Sequence, residues 1–91
     1  MELPGEQTEL MDAILLLERM IDQMHAQFDN YRHGEIHVLP DWQRFERQLL
    51  FFSRRRPHSL ELSNQLDRVL FKFQARKRVW LRWAEEFHQQ K

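Results

Sequence analysis

Residues 62–87 of the chain read LSNQLDRVLFKFQARKRVWLRWAEEF, without a glycine or a proline. Their apolar residues recur at alternating steps of four and three, so that they lie on one side of an α-helix. A single charged residue, Arg76, interrupts this apolar seam. With Ser59 as a suitable N-cap, the pattern predicts a helix over about residues 58–89. The seam consists of Leu62, Leu66, Val69, Phe73, Trp80, Trp83 and Phe87.

A second seam with the same spacing occupies the first third of the chain. It predicts a helix over about residues 6–33, in which Thr8 is the expected N-cap and Gly34 the C-terminal stop. Residues 1–5 include a proline and a glycine, and we expect them to form a flexible tail. A mean spacing of 3.5 residues in both helices predicts packing like that of a coiled coil. This second seam consists of Leu10, Ile14, Leu17, Ile21, Met24, Phe28 and Tyr31.

The first predicted helix carries more apolar residues than its seam requires. Met11, Leu15, Leu16 and Met20 lie beside the seam positions and widen its apolar stripe. The first half of this helix therefore has more apolar surface than one partner helix can cover.

A shorter apolar pattern lies between the two long helices. Its members follow at steps of three, four and three, and predict a helix over about residues 41–53. Pro40 suits the first turn of this helix, and Pro57 follows its end. The sequence thus predicts an all-α fold with one helical domain over residues 6–91 and a long-short-long arrangement of three helices. The members of the short pattern are Trp42, Phe45, Leu49 and Phe52.

The composition is that of an ordinary globular protein. Of the 91 residues, 42% are hydrophobic and 31% are charged, unlike a disordered chain. Two glycines and three prolines are too few for the turns of a sheet protein of this size. Cysteine is absent, which excludes disulfides and thiol chemistry. The longest apolar runs, residues 13–17 and 49–52, are too short to span a membrane, and no secretion signal begins the sequence. We therefore expect a cytoplasmic protein.

The net charge is zero, but the charges are unevenly distributed. Residues 1–40 contain eight acidic and two basic residues, whereas residues 41–91 contain six acidic and twelve basic residues. One interpretation is that the basic third helix pairs with the acidic first helix along the flanks of their seam.

The lengths of the predicted helices indicate self-association. At about 1.5 Å per residue, the middle helix is roughly half as long as the other two. In an up-down-up arrangement the third helix would then extend past the first, and its last rings would lack cover. A two-fold dimer would cover them. A long hairpin of the first and third helices with the short helix folded across it is the monomeric alternative. The predicted interface consists of Phe73, Trp80, Trp83 and Phe87.

Nucleic-acid binding is the alternative function that the basic second half suggests. Arg54, Arg55 and Arg56 form a basic run, and further Lys and Arg residues alternate with aromatic residues in the third helix. Arginines neutralise phosphates and aromatic rings stack on bases. However, most of these rings occupy seam positions, which face another helix. The same continuity argues against a membrane-surface role for residues 76–83.

A metal site is not expected. His25, Asp29 and His33 follow at steps of four on one helix face, and a pair of histidines with a carboxylate can bind zinc. A solvated polar face is the more common reason for such spacing. We therefore predict no metal and no cofactor.

The long-short-long layout resembles that of the small dimeric helical chorismate mutases. This resemblance implies an intertwined dimer whose pocket binds a dicarboxylate. Such a pocket needs inward cations from the first helix, which has only Arg19 and Arg32 among its acidic residues. Arg44, Arg47 and Gln74 do not compensate. We therefore predict no catalytic residues.

The function that the sequence favours is a non-catalytic protein–protein interaction module. It would be a small helical adaptor, chaperone or regulator that acts as a homodimer or on a helix of a partner protein.

Overall fold

A computed structural model describes residues 4–55 and 59–89 of the chain, with side chains for residues 8–55 and 59–87. It contains three helices, α1 (Pro4–Arg32), α2 (Trp42–Ser53) and α3 (Leu60–Gln89). The predicted all-α, long-short-long arrangement is confirmed, with every helix end within two residues of its predicted position. In the described ranges there is no strand and no helix with the length and apolar character needed to cross a membrane.

The start of α1 differs from the prediction. The helix begins at Pro4, a position that proline tolerates because the first N–H groups of a helix have no acceptor within it. Residues 4 and 5 therefore belong to the helix and not to a tail, while residues 1–3 lie outside the described part. Thr8 lies inside the helix, so its prediction as the N-cap is wrong.

Gly34 ends α1 as predicted. Its φ of 76° lies in the left-handed region, which favours glycine. The Gly34 N–H donates to the Tyr31 carbonyl at 3.1 Å, and the Glu35 N–H donates to the Asn30 carbonyl at 2.9 Å. These two bonds satisfy carbonyl groups that the last turn leaves without helical partners.

Side chains cap the other two helices. The Asp41 carboxylate accepts a hydrogen bond from the Arg44 N–H at 3.1 Å, so Pro40 precedes the cap of α2 and does not belong to its first turn. The Ser59 hydroxyl accepts from the Leu62 N–H at 3.4 Å, as expected for the N-cap of α3.

The three helices run up, down and up. Lys72 of α3 contacts Glu18 and Asp22, and further along the same helix Phe87 contacts Tyr31, so α1 and α3 are parallel. The short α2 lies antiparallel to α3 and packs mainly against it. The resulting molecule is a rod of about 56 × 18 × 17 Å.

The core follows the predicted seams. In the described part of the chain, no polar or charged side chain is buried. Met11, Met20 and Met24 of α1 are partly buried against the core. The buried hydrophobic side chains of the helices are Ile14, Ile21, Phe28 and Tyr31 of α1, Phe45 and Leu49 of α2, and Leu62, Leu66, Val69, Phe73, Trp80 and Ala84 of α3.

The predicted overhang of the third helix does not occur. Phe87 packs beside Tyr31, so α1 accompanies α3 almost to its end. The overhang was predicted because only the helical residues were counted in the length of chain that leads from the end of α1 back to the start of α3. Residues 33–41 are not helical, and non-helical chain advances by up to about 3.3 Å per residue, more than twice the rise of a helix.

Leu49 tests the docking of α2. Its side chain is fully buried, so Leu49→Ala leaves a cavity and should lower the free energy of unfolding by about 2–5 kcal/mol. Phe51, which is 61% exposed on the same helix, provides the matched control, and Phe51→Ala should change stability by less than ~0.5 kcal/mol. Urea unfolding followed by circular dichroism measures both. Equal losses in the two variants would contradict the described orientation of α2.

Candidate interaction surfaces

Two of the four predicted interface residues lie inside the chain's own core. Phe73 and Trp80 are 1% and 0% exposed. The Trp80 ring stacks on Phe28 with a centroid separation of 5.0 Å and an angle of 2° between the planes. Phe73 meets Trp80 edge-on at 5.9 Å and Phe45 of α2 at 5.5 Å. These two rings therefore join all three helices and present no surface to a partner.

The other two predicted interface residues are half-buried at the end of the seam. Phe87 lies 4.8 Å from the Tyr31 ring, and Trp83 lies 5.2 Å from the His25 ring. The premise that these rings lack cover is wrong, because α1 covers them. Self-association itself is not tested by a single chain and stays a prediction.

His25 supplies the polar partner that the buried Trp80 indole requires. The Trp80 Nε1–H donates to His25 Nδ1 at 3.0 Å. The neutral ring must then carry its proton on Nε2, so a proton added at Nδ1 would remove the acceptor. Burial lowers the pKa of His25 below its ordinary value, and the Arg76 guanidinium lowers it further; Asp29 and Asp22 act in the opposite direction. The site thus favours neutral histidine.

Arg32 covers the outer side of Trp83. Its guanidinium lies 4.1 Å from the centre of the Trp83 ring, a cation–π arrangement. Its Nε–H also donates to the Asp29 carboxylate at 2.8 Å, and this hydrogen bond lowers the pKa of Asp29. Because Arg32 and Asp29 are exposed, the contact orients the guanidinium more than it stabilises the fold.

His25 and His33 do not converge on a metal site. His33 Nδ1 lies 2.8 Å from the Asp29 carbonyl and 3.6 Å from its carboxylate, whereas His25 Nδ1 accepts from Trp80. Among the described residues, no group of three or more histidine, aspartate or glutamate side chains is placed to hold a metal ion.

The surface cavities include two that are lined by described residues. One, of about 120 Å³, lies between α1 and α3, and Lys72 and Glu18 in its wall contact each other at 3.5 Å. The other, of about 360 Å³, is formed by the consecutive residues 39–43 at the start of α2. Ligand sites usually have about 300–1,000 Å³ with polar groups converging from several elements. The first cavity is too small for such a ligand, and the second is lined by a single chain segment.

Cross-helix ion pairs use part of the basic charge of α3. Lys72 lies 2.8 Å from Asp22 of α1, as the uneven charge distribution suggested. Lys77 instead reaches α2, where its ammonium group bonds the Glu46 carboxylate at 2.7 Å and lies 4.7 Å from the centre of the Trp42 ring. Arg76, the interruption of the seam, is half-buried and has no ion pair within the described part of the chain.

The outward face of α3 combines an exposed aromatic ring with unpaired cations. Phe71 is 78% exposed, although it lies in the middle of a regular helix. Arg68, Ala75 and Arg78 lie three, four and seven residues away and share its face. Neither arginine has an ion pair among the described residues. Phe71 precedes the seam residue Phe73 by two positions, about 200° around the helix, so it lies nearly opposite the seam.

The outward face of α1 is apolar at its centre. Leu15 and Leu16 are 45% and 53% exposed, which agrees with the excess of apolar residues in this half of the helix. Asp12 and Arg19 lie on the same face, one turn before and one turn after the leucines. Both are exposed, and neither has an ion pair in the part of the chain with described side chains.

Two of the arginines proposed for the alternative function, Arg54 and Arg55, lie at the end of α2. Arg54 and Arg55 are exposed, and the Arg55 guanidinium lies 5.4 Å from the centre of the Phe51 ring. Arg56 lies outside the described residues.

The His25–Trp80 bond predicts a pH dependence of stability. The pKa of His25 is lower in the folded chain than in the unfolded chain, where it is about 6.5. At pH values between these two pKa values, the unfolded chain therefore binds more protons than the folded chain. The contribution of His25 to the free energy of unfolding should be fully present above about pH 6.5. It should be lost as the pH falls through the pKa of His25 in the folded chain. Urea midpoints between pH 5 and pH 7.5, followed by tryptophan fluorescence, measure the effect.

Matched variants assign this pH dependence to His25. His25→Asn keeps an acceptor for the indole but does not titrate, so the stability change over this pH range should become smaller. His33→Asn removes an exposed histidine of the same helix segment and should leave the change as it is. The opposite pattern would contradict the role of His25.

Comparison of the chain with protein-family models, with curated proteins and with solved structures finds no match.

Proposed function

We propose that the chain is a non-catalytic protein–protein interaction module of the cytoplasm: a small helical adaptor, chaperone or regulator that acts as a homodimer or on a partner protein. The observation that carries this proposal is the exposure of Phe71 on the outward face of α3. A phenylalanine that is 78% exposed contributes little to the core, and its contact with water is unfavourable. A partner protein that covers the ring relieves this cost.

The surroundings of Phe71 indicate the chemistry of that partner. The helix presents one aromatic ring between Arg68 and Arg78, with the small Ala75 beside it. This arrangement fits the mode in which a helix places an apolar anchor in a groove of another protein. The complementary groove is apolar at its centre and lined with carboxylates at its rim, because arginines at interfaces pair well with carboxylates.

The polar side chains between the helices contribute to the fold and are not available to a partner. Lys72 and Lys77 pair with acids of α1 and α2, and His25 bonds the Trp80 indole. Each of these contacts holds two helices together. We therefore assign binding to the outward faces and not to the seam residues Phe73 and Trp80.

Affinity capture from the native cell tests the Phe71 surface. The chain carrying an affinity tag should retain a partner protein, and Phe71→Ser should lose it. Val38→Ser is the matched control, because Val38 is 79% exposed but lies in the connector between α1 and α2. Trp80→Ala is unsuitable here, since it removes a core residue and alters folding together with binding.

Circular dichroism checks that both variants keep their helices. Equal retention of the partner by Phe71→Ser and Val38→Ser would contradict the assignment to the α3 face.

Nucleic-acid binding is the second candidate, and the unpaired cations favour it. Between residues 68 and 82 the chain has six basic and no acidic residues, and Arg68, Arg78 and Arg82 have no ion pair among the described residues. However, a single exposed ring offers one stacking position, whereas single-strand binding uses several rings in a row.

Binding of a labelled single-stranded DNA separates the two candidates. At about 0.1 M salt we expect no saturable change in anisotropy, because stacking is limited and the net charge is zero. Saturable binding that weakens with salt and is lost in Arg68→Ala/Arg78→Ala would favour nucleic acid. Loss in Arg54→Ala/Arg55→Ala/Arg56→Ala would instead place such binding at the end of α2. In both cases the Phe71→Ser variant shows whether base stacking contributes to binding, because it removes the ring and leaves the charges unchanged.

A further inference from the structure

We propose that a second copy of this chain docks on the outward face of α1. The two α1 helices lie antiparallel about a two-fold axis that passes between Leu15 and Leu16, and Asp12 of each copy pairs with Arg19 of the other. The inference rests on the proposed function, whose self-association it assigns to a surface. This surface shares no residue with the Phe71 face.

The exposed leucines mark the surface. Leu15 and Leu16 are about half exposed at the middle of a 29-residue helix, while Met11 and Met20 beside them pack against the core. Neighbouring residues of a helix are separated by about 100°, so the two leucines lie on either side of the outward direction. Between them a charged row runs along the helix.

The charged row matches its own antiparallel copy. Asp12 and Arg19 are seven residues apart and therefore point in nearly the same direction, two turns apart. Asp12 lies three residues before Leu15, and Arg19 lies three residues after Leu16. In the antiparallel pair each carboxylate is thus opposite a guanidinium. The two-fold operation forms two equivalent ion pairs, and each leucine meets its own copy on one side of them.

Alternative pairings are less favourable. Two parallel α1 helices in register would place Asp12 against Asp12 and Arg19 against Arg19. Two α3 outward faces would bring more cations than anions together, since Arg68, Arg78 and Arg82 share the face of Phe71 with Asp67. The α1 face is therefore self-complementary, whereas the α3 face needs an acidic partner of a different kind.

The geometry predicts a weak dimer. With the axis between Leu15 and Leu16, residues 4–27 of the two helices overlap over roughly 36 Å. A contact along one helix lies at the small end of specific interfaces, and we expect a dissociation constant in the micromolar range.

A charge exchange tests the pairing. Sedimentation equilibrium between about 1 and 500 µM should show concentration-dependent dimers of the unaltered chain. Asp12→Arg and Arg19→Asp each place like charges opposite one another and should weaken the dimer at least tenfold. The double variant Asp12→Arg/Arg19→Asp restores opposite charges and should bring the dissociation constant back to within about threefold. Because the two residues lie too far apart to pair within one helix, such recovery requires two copies.

Further variants distinguish an effect on the α1 surface from an effect on folding. Leu16→Gln should also weaken the dimer, whereas Phe71→Ser, on the opposite side of the molecule, should leave it unchanged. Circular dichroism verifies that each variant stays helical. A chain that is monomeric at every concentration, or a double variant as weak as the single ones, would falsify the proposal.

Failure of the dimer and failure of the proposed partner binding give different results. If the chain stays monomeric but loses its captured partner in Phe71→Ser, the dimer is wrong and the interaction module stands. If the dimer forms with the expected charge dependence and no partner depends on Phe71, the assignment of partner binding to α3 is wrong.

Discussion

The contact between Trp80, Phe28 and His25 determines how the long helices lie against each other. The Trp80 ring is the largest fully buried side chain, and its N–H group needs an acceptor in the core. The position of α3 satisfies both requirements, because it places Trp80 flat on Phe28 and its Nε1–H at His25. Since apolar seams tolerate sliding by a turn, this polar contact sets the axial register of α1 and α3. Phe73, which meets Trp80 edge-on, then positions α2 through Phe45.

The periodicity of the two seams and of the short pattern between them was enough to predict the three helices, but not their relative positions. Gly34 and Ser59 were recognisable from sequence because each has a specific backbone task at a helix end. The overhang was predicted wrongly because the path of a non-helical connector cannot be read from apolar spacing. The His25–Trp80 bond was missed for a related reason: it joins residues 55 positions apart, and no local pattern marks such a pair.

The same periodicity held the information needed to find the outward faces. Phe71 is out of step with the seam that contains Phe73, and Leu15 and Leu16 are out of step with the seam that contains Ile14 and Ile21. Counting the aromatic residues of α3 as one group hid this difference. The burial of Phe73 and Trp80 and the exposure of Phe71 follow from which side of the helix each ring occupies.

The positions of the two outward faces have a consequence for affinity. Each face is opposite the α1–α3 seam on its own helix, so the two faces lie on opposite sides of the molecule and a partner on one does not obstruct the other. A dimer through Leu15 and Leu16 would therefore present two Phe71 faces at its outer sides. For a target with two acidic grooves at a matching distance, the second contact becomes intramolecular and strengthens binding without any new residue. A weak dimer would then be useful, because dilution or competition for the α1 face would lower the affinity of the α3 face for such a target.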